Sequence, residues 1–266
     1  SLTSTSLTVT SGTLAAYPIG TMVMPLRTGF ATRQISSKRF ISGDAITQLQ
    51  FRVDDNDVDL ADTSAFNQFN SKVLIDGCNS VRGTMSEQFE RDIVNFDNAT
   101  GLTSQSSPWA VGKRISQLAL LAKGKQGAWE VRQLLHALRG KQISFYASSF
   151  TNDFTVDADI SSGTDVNIVN VGYTQFVQSR QPRNVIRIVY NNGDADDIRT
   201  ILSSSVVDST RETLVLDSSV AAHTMAQVKK IMLVEKVRWD TDAITIRHEL
   251  GDTTTRITGP IKTVLE

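Results

Sequence analysis

One cysteine, three histidines and five prolines stand in a chain of 266 residues. The single Cys78 excludes an intrachain disulfide and any structural zinc site built from several cysteines, and it reads as a small buried hydrophobe. No apolar run reaches the about 18 residues a spanning helix needs, so no insertion into a membrane is expected. The opening SLTSTSLTVTSGT has neither a basic stretch nor an apolar one, so no signal peptide is expected and the sequon Asn98-Ala99-Thr100 carries little meaning. An excess of one charge is missing too. Lys+Arg number 27 and Asp+Glu 28, a balance that argues against a general binder of nucleic acid or of membrane surfaces.

Catalytic and cofactor signatures are equally scarce. Gly124-Lys125 and Gly140-Lys141 lack the upstream glycine and the following hydroxyl of a phosphate-cradling loop, and no Rossmann glycine pattern occurs. Asp54-Asp55-Asn56-Asp57-Val58-Asp59 begins like a calcium loop. It then places Leu60 where the turn needs glycine and Phe66 where the ion needs glutamate, so it reads as a solvated acidic loop. No G-x-S-x-G or H-E-x-x-H motif is present. Among the histidines, His136 lies off the apolar stripe of its helix, His223 falls in a loop, and His248 alternates with apolar residues as a hydrogen-bonded inward side chain. We therefore expect no enzyme, no cofactor and no metal site.

What is present is a globular composition, 40% hydrophobic and 21% charged, with length enough for one large or two small cores. Period-two alternation dominates. In QLQFRVD, Leu49, Phe51 and Val53 alternate with polar residues, and a short strand comes next through Val73–Ile75. Residues 54–72 read as a polar loop with a short helix near Ala65–Phe69. Ile115–Lys123 fits a strand or a helix, and the turn read at Lys123–Gly127 after it favours the strand.

The one clear helix spans 128–139. Val131, Leu134, Leu135 and Leu138 form its stripe, Glu130 and Arg139 suit the two ends of its dipole, and Gly140 suits the residue that ends it. Beyond Asp153 the pattern is β. Ile186, Ile188 and Tyr190 share a face, Asn191-Asn192-Gly193-Asp194 signals a hairpin, and Leu214 alternates with Leu216. Ile231, Leu233, Val237 and Trp239 share another face, interrupted by Glu235. Ile244, Ile246, His248 and Leu250 share a third. The expected fold is mainly β (α+β), with antiparallel sandwich or barrel domains and one amphipathic helix. The expected divisions are an extended arm at 1–16, a β-rich domain at 17–155 holding the helix, and a C-terminal sandwich or barrel at 156–266.

The helix and the segment after it carry a resemblance. Trp129…Leu134-Leu135…Leu138-Arg139-Gly140…Phe145-Tyr146…Ser149-Phe150…Asn152-Asp153-Phe154 resembles a pattern in tail proteins of long-tailed bacteriophages, roughly R-x-L-x-x-F-x-x-x-R-G-x-x-x-x-F-W-x-P-x-W-x-x-D-L. DIVNFDNATG (92–101) and KIMLVEKVRWDTDAITIRHEL (230–250) look like the flanking segments of the same proteins, so the match covers roughly Arg82 to the end. Tyr146 stands where those proteins carry Trp, and Ala147-Ser148 lacks their proline.

The resemblance implies a virion structural protein of the tail tip or baseplate, of the distal-tail or hub type. It implies a β-rich subunit, made in the host cytoplasm, that forms a homo-oligomeric ring and bridges the tail tube to the host-attachment apparatus. Trp129, Leu134, Leu138, Gly140, Phe145, Tyr146 and Trp239 are the candidates for a structural corner or interface. The Ser/Thr-rich arm and the polar loops at 54–72 and 157–165 are candidates to lie on neighbouring subunits. The alternative is a carbohydrate-binding β-sandwich contacting a host-surface glycan through exposed aromatics. Trp109, Trp129 and Trp239 are more economically read as core or interface residues.

Overall fold

The computed structural model describes residues 29–39, 45–53, 61–77, 86–97, 103–109, 112–178, 183–249 and 254–264. The expected arm at 1–16, the acidic run Asp54–Asp59, Cys78, the sequon at Asn98 and Leu250 lie outside them. The chain divides into two compact units, Ser1–Asp57 and Val58–Glu266. In the first, β1 (Gly29–Arg39) and β2 (Ala45–Val53) pair antiparallel from Gly29↔Val53 to Arg39↔Ala45, with a register irregularity between Ala31 and Ile35. The strand expected around Leu49–Val53 is thus the second half of β2.

The second unit is mainly β. Its first part holds β3 (Gln68–Phe69), β4 (Lys72–Ile75), β5 (Glu87–Glu90), β6 (Val94–Asp97), β7 (Thr103–Ser106), β8 (Lys113–Lys123), helix α1 (Gly124–Leu138) and β9 (Phe145–Ser148). Its second part holds β10 (Gly163–Val169), the one-turn helix α2 (Tyr173–Phe176), β11 (Val185–Tyr190), β12 (Asp197–Val206), β13 (Arg211–Val220), β14 (Val228–Trp239), β15 (Thr245–Glu249) and β16 (Thr254–Thr263). The main sheet runs in the order β10-β13-β12-β11-β14-β16-β8-β5. β15 joins at β16, β9 at β14, and β4 and β3 extend from β9. Its pairings are antiparallel except that of β4 with β9. β6 and β7 form a separate two-stranded ribbon.

Two expectations need correcting. No helix forms near Ala65–Phe69. Asn70 and Ser71, at φ 48° and 61°, make a two-residue turn that pairs Phe69 with Lys72 and commits Gln68–Phe69 to a strand. Nor is Lys123–Gly127 a separate turn, because β8 runs to Lys123 and α1 starts directly at Gly124. Gly124, at φ 67°, turns the chain out of β8 in a single residue and leaves Lys125–Gly127 to form the first helical turn. Glu130 therefore falls beyond the first turn, where it accepts a hydrogen bond from Gln126 Nε2 at 3.0 Å.

The rest of the helix obeys its stripe. Val131, Leu134 and Leu138 are buried, Leu135 packs partly beneath them, and His136 is exposed. The left-handed stop uses two residues rather than one. Arg139 (φ 49°, ψ 48°) donates its N–H to Leu135 O, and Gly140 comes next at φ 60°. A Cβ at Gly140 would lie 2.6 Å from Asp242 Oδ1, which accepts the N–H of Lys141 at 3.0 Å. The carboxylate that rests on this glycine–lysine pair belongs to the chain itself.

Two hydrophobic clusters dominate. The first gathers α1, β4, β8, β9 and β16 around Phe145 and Trp239, whose ring centroids lie 5.7 Å apart. The second gathers β10 to β13 around Ile168, Ile186, Ile188, Leu214 and Leu216. The chain enters the second cluster at Phe154 and returns to the first at Val237. β14 belongs to both, with Ile231 in the second, Val237 and Trp239 in the first, and Val234 between them against Leu74 and Val185.

Leu134→Ala or Leu138→Ala is expected to cost about 2–5 kcal/mol in denaturant unfolding, the usual cost of emptying a core site. Gly140→Val is expected to be comparably harmful, because it adds both the positive-φ strain and the clash with Asp242. Arg139→Gly is expected to hold or raise the melting temperature, since it relieves a left-handed non-glycine residue.

Candidate functional site

The segment between α1 and β10 works as a corner built on β14. On one edge of β14, β11 pairs over Val228–Val234 and β16 takes over at Val237–Trp239. On the other edge, β9 pairs Phe145–Ser148 with Val237–Val234. Beyond Ser148 no strand continues, and the polar turn substitutes for one. Ser149 N–H donates to Leu233 O at 2.8 Å and Asp153 N–H to Ile231 O at 2.9 Å. In return Asn152 Oδ1 accepts from Ile231 N–H at 3.0 Å, and Asp153 Oδ2 accepts from Leu233 N–H at 2.7 Å. Two side-chain oxygens thus take the place of strand carbonyls. Hydrogen bonds of Asp153 to Ser149 and to Thr151 hold the carboxylate in that position. Phe150, at φ 64°, is a bulky residue in a costly conformation, and its ring packs against the first cluster.

Glu235 interrupts the apolar face of β14 as a buried charge, between Ile231 and Leu233 of the second cluster and Val237 and Trp239 of the first. It is 2% exposed and sits where the partner strand changes from β11 to β16. Arg183 Nε, from the approach to β11, lies 2.9 Å from its Oε1, and Arg114 Nε of β8 lies 3.1 Å from its Oε2. Thr263 of β16 donates its hydroxyl to Oε2 at 3.2 Å. Arg114 also reaches Glu87 of β5 at 3.1 Å. Four segments meet on one carboxylate.

Two further buried groups, Glu212 and His223, lie beside Tyr173 and Tyr190 of the second cluster. Glu212 caps the start of α2, accepting from Gly172 N–H at 2.7 Å and from Thr174 N–H at 3.0 Å. Burial, and next the Glu212 charge, push the Tyr173 hydroxyl up to about 12. That hydroxyl donates to Arg183 O at 2.8 Å. His223, expected in a loop, is buried. It pairs backbone to backbone with Ile160, and its ring stacks on Tyr190 with centroids 3.8 Å apart. His248, expected inward, is an exposed residue that still meets Thr255 Oγ1 at 3.0 Å. Among the described residues, no group of three or more His, Cys, Asp or Glu side chains is placed to hold a metal ion.

Leu134, Leu138, Phe145 and Trp239 meet in the first cluster, and Gly140 closes α1 beside Asp242. Tyr146 packs edge-on against Phe69 at 5.2 Å, in the smaller cluster with Leu74 and Val234. Trp129, 37% exposed, is the one of the seven that presents a large apolar surface to solvent. Trp109 lies under the ammonium of Lys113, 3.9 Å from its ring.

Larger exposed surfaces lie elsewhere. Phe89, Ile93, Val94 and Phe96 run along β5 and the β6–β7 ribbon, and Phe96 is 64% exposed. Val169, Val171, Phe176, Val206 and Val207 lie around the β12–β13 turn and α2. Sequence periodicity did not single these out, because an isolated apolar residue on a polar strand reads as noise. Glu235 did leave a signal, a lone charge at an inward position of an otherwise apolar strand face.

No protein-family model matches the chain, and no curated protein matches it.

Glu235→Gln is expected to lower stability by about 3 kcal/mol in urea unfolding, because two guanidinium groups lose the charge they face. Asp153→Ala is expected to cost about 1–3 kcal/mol, through the unpaired N–H of Leu233. Equal stability of either variant and the parent chain would contradict these roles.

Proposed function

We propose that this chain is a non-enzymatic structural subunit of a bacteriophage tail tip or baseplate, of the distal-tail or hub type. In this reading it assembles as a homo-oligomeric ring in the virion and links the tail tube to the host-attachment apparatus. The observation that carries the reading is the meeting of the two resembling segments. Residues 129–154 and 230–250 lie far apart in sequence, yet they form one hydrogen-bonded unit through β9, the Ser149–Asp153 turn and Asp242. A pattern shared with tail proteins at both segments is what a common corner would produce.

The surface is consistent with a subunit that works among neighbours. A two-stranded ribbon is marginal alone in water, and β6–β7 carries exposed Val94 and Phe96. Apolar residues also lie around the β12–β13 turn, and a ring needs two different faces on each copy. The sandwich arrangement belongs to the same proposal. In it, the strands around the two clusters pack face to face rather than lying in one layer.

Gene order tests the reading most directly. The gene is expected beside those for a tape-measure and a tail-tube protein, and a place in a metabolic operon would overturn it. Light scattering behind size exclusion is expected to show a closed oligomer at high concentration. Saturable binding on a glycan array, lost in Trp129→Ala, would favour the carbohydrate-binding alternative instead.

A further inference from the structure

The environment of His223 has a feature that packing alone does not require. Its Nδ1 lies 2.9 Å from the carbonyl oxygen of Ala221, and its Nε2 lies 3.1 Å from Asp194 Oδ2. A carbonyl and an ionised carboxylate both accept and neither donates. Either neutral tautomer therefore turns one nitrogen lone pair toward an oxygen lone pair at hydrogen-bond distance. Only the imidazolium, with a proton on each nitrogen, makes both bonds. The Tyr190 ring stacked on the imidazole adds a face that attracts a cation.

We propose that His223 is a proton-dependent clasp that holds the β13–β14 connection against the β11–β12 turn. His223 lies on that connection, and Asp194 lies on the turn. Backbone bonds with Ile160 anchor the histidine, while Asp194 is an exposed residue. The remaining groups around the ring are accounted for. The Tyr190 hydroxyl donates to Asp197, which pairs with Arg199, and its ionisation is pushed well above the ordinary range, first by burial and next by Asp197. The Asp159 carboxylate is occupied by the N–H of Met225. Hydrogen bonds from Asn192 and from His223 hold Asp194 below its ordinary value, so it stays ionised through neutral pH.

These two groups set the direction of the effect. Asp194 supplies its part of the clasp above its ordinary carboxylate range, and that part is lost only as pH falls through its lowered value. His223 supplies its part through two N–H donors, and either form with a single ring proton makes only one of the two bonds. Loss of either ring proton breaks one of the two bonds and loosens this contact at Asp194, while the bonds of Asn191 to Gln227 and Ala226 still join the start of the turn to the connection.

Long-range proton–nitrogen correlation spectra of the full chain, with labelled histidine, test this. At about pH 6, His223, assigned through its contacts to Tyr190, is expected to show protons on both ring nitrogens. In Asp194→Asn at the same pH, the amide can donate to Nε2, and the ring is expected to revert to a single proton on Nδ1. A singly protonated His223 in the parent chain at that pH, or a ring state that Asp194→Asn leaves unchanged, would overturn the clasp.

Discussion

The carboxylate of Glu235 is the point on which the second unit turns. A single strand, β14, has to serve two hydrophobic clusters, and its partner changes midway from β11 to β16. A fork of that kind opens a gap between the two departing strands, and the chain fills it with a charge. Arg183 comes from the segment that leads into the strand that leaves, Thr263 from the strand that arrives, and Arg114 from the strand that pairs with it on its other edge. Burying such a group is expensive, and well-packed apolar side chains at the same place are often no worse for stability. What the ion pairs add is register. A slip of one residue along β14 would turn Glu235 to the opposite face and away from both guanidinium groups.

The corner after β9 solves a related problem on the other edge of β14. A strand edge with free N–H and C=O groups must be paired, covered or left wet. Continuing β9 would cover it but would hold the chain in the first cluster. The turn at Ser149–Asp153 covers two residues of ladder with side-chain oxygens and at the same time redirects the backbone into the second cluster at Phe154. Phe150 accepts a left-handed conformation to make this possible, and the packing of its ring against the first cluster offsets that strain.

Much of this was legible in the sequence wherever periodicity decides. The stripe of α1 at Val131, Leu134 and Leu138, the inward faces of β11 and β13, and the stop at Gly140 all derive from spacing and from the chemistry of glycine. Local composition misled where a single backbone angle outweighs it. The run from Lys123 to Gly127 looks like a turn, yet Lys123 still belongs to β8, one left-handed glycine changes the direction, and Lys125–Gly127 are helix. The candidate site was harder to see. Glu235, Arg114 and Arg183 are distant in sequence and meet only because the partner of β14 changes here from β11 to β16, and β16 carries β8 on its other edge. His223 does lie in the connection between β13 and β14, as expected, but its burial comes from a strand and a turn well before it in the chain, and no local pattern encodes that.

The shared strand also fixes how the second unit bears load. A pull that separates the two clusters acts along β14, parallel to its neighbours. The hydrogen bonds on its two edges lie across that direction and are strained together in shear, not peeled away one after another. The side-chain oxygens of Asn152 and Asp153 extend this ladder past the end of β9, just where the edge would otherwise begin to tear. The corner that redirects the chain is in this sense also a rivet.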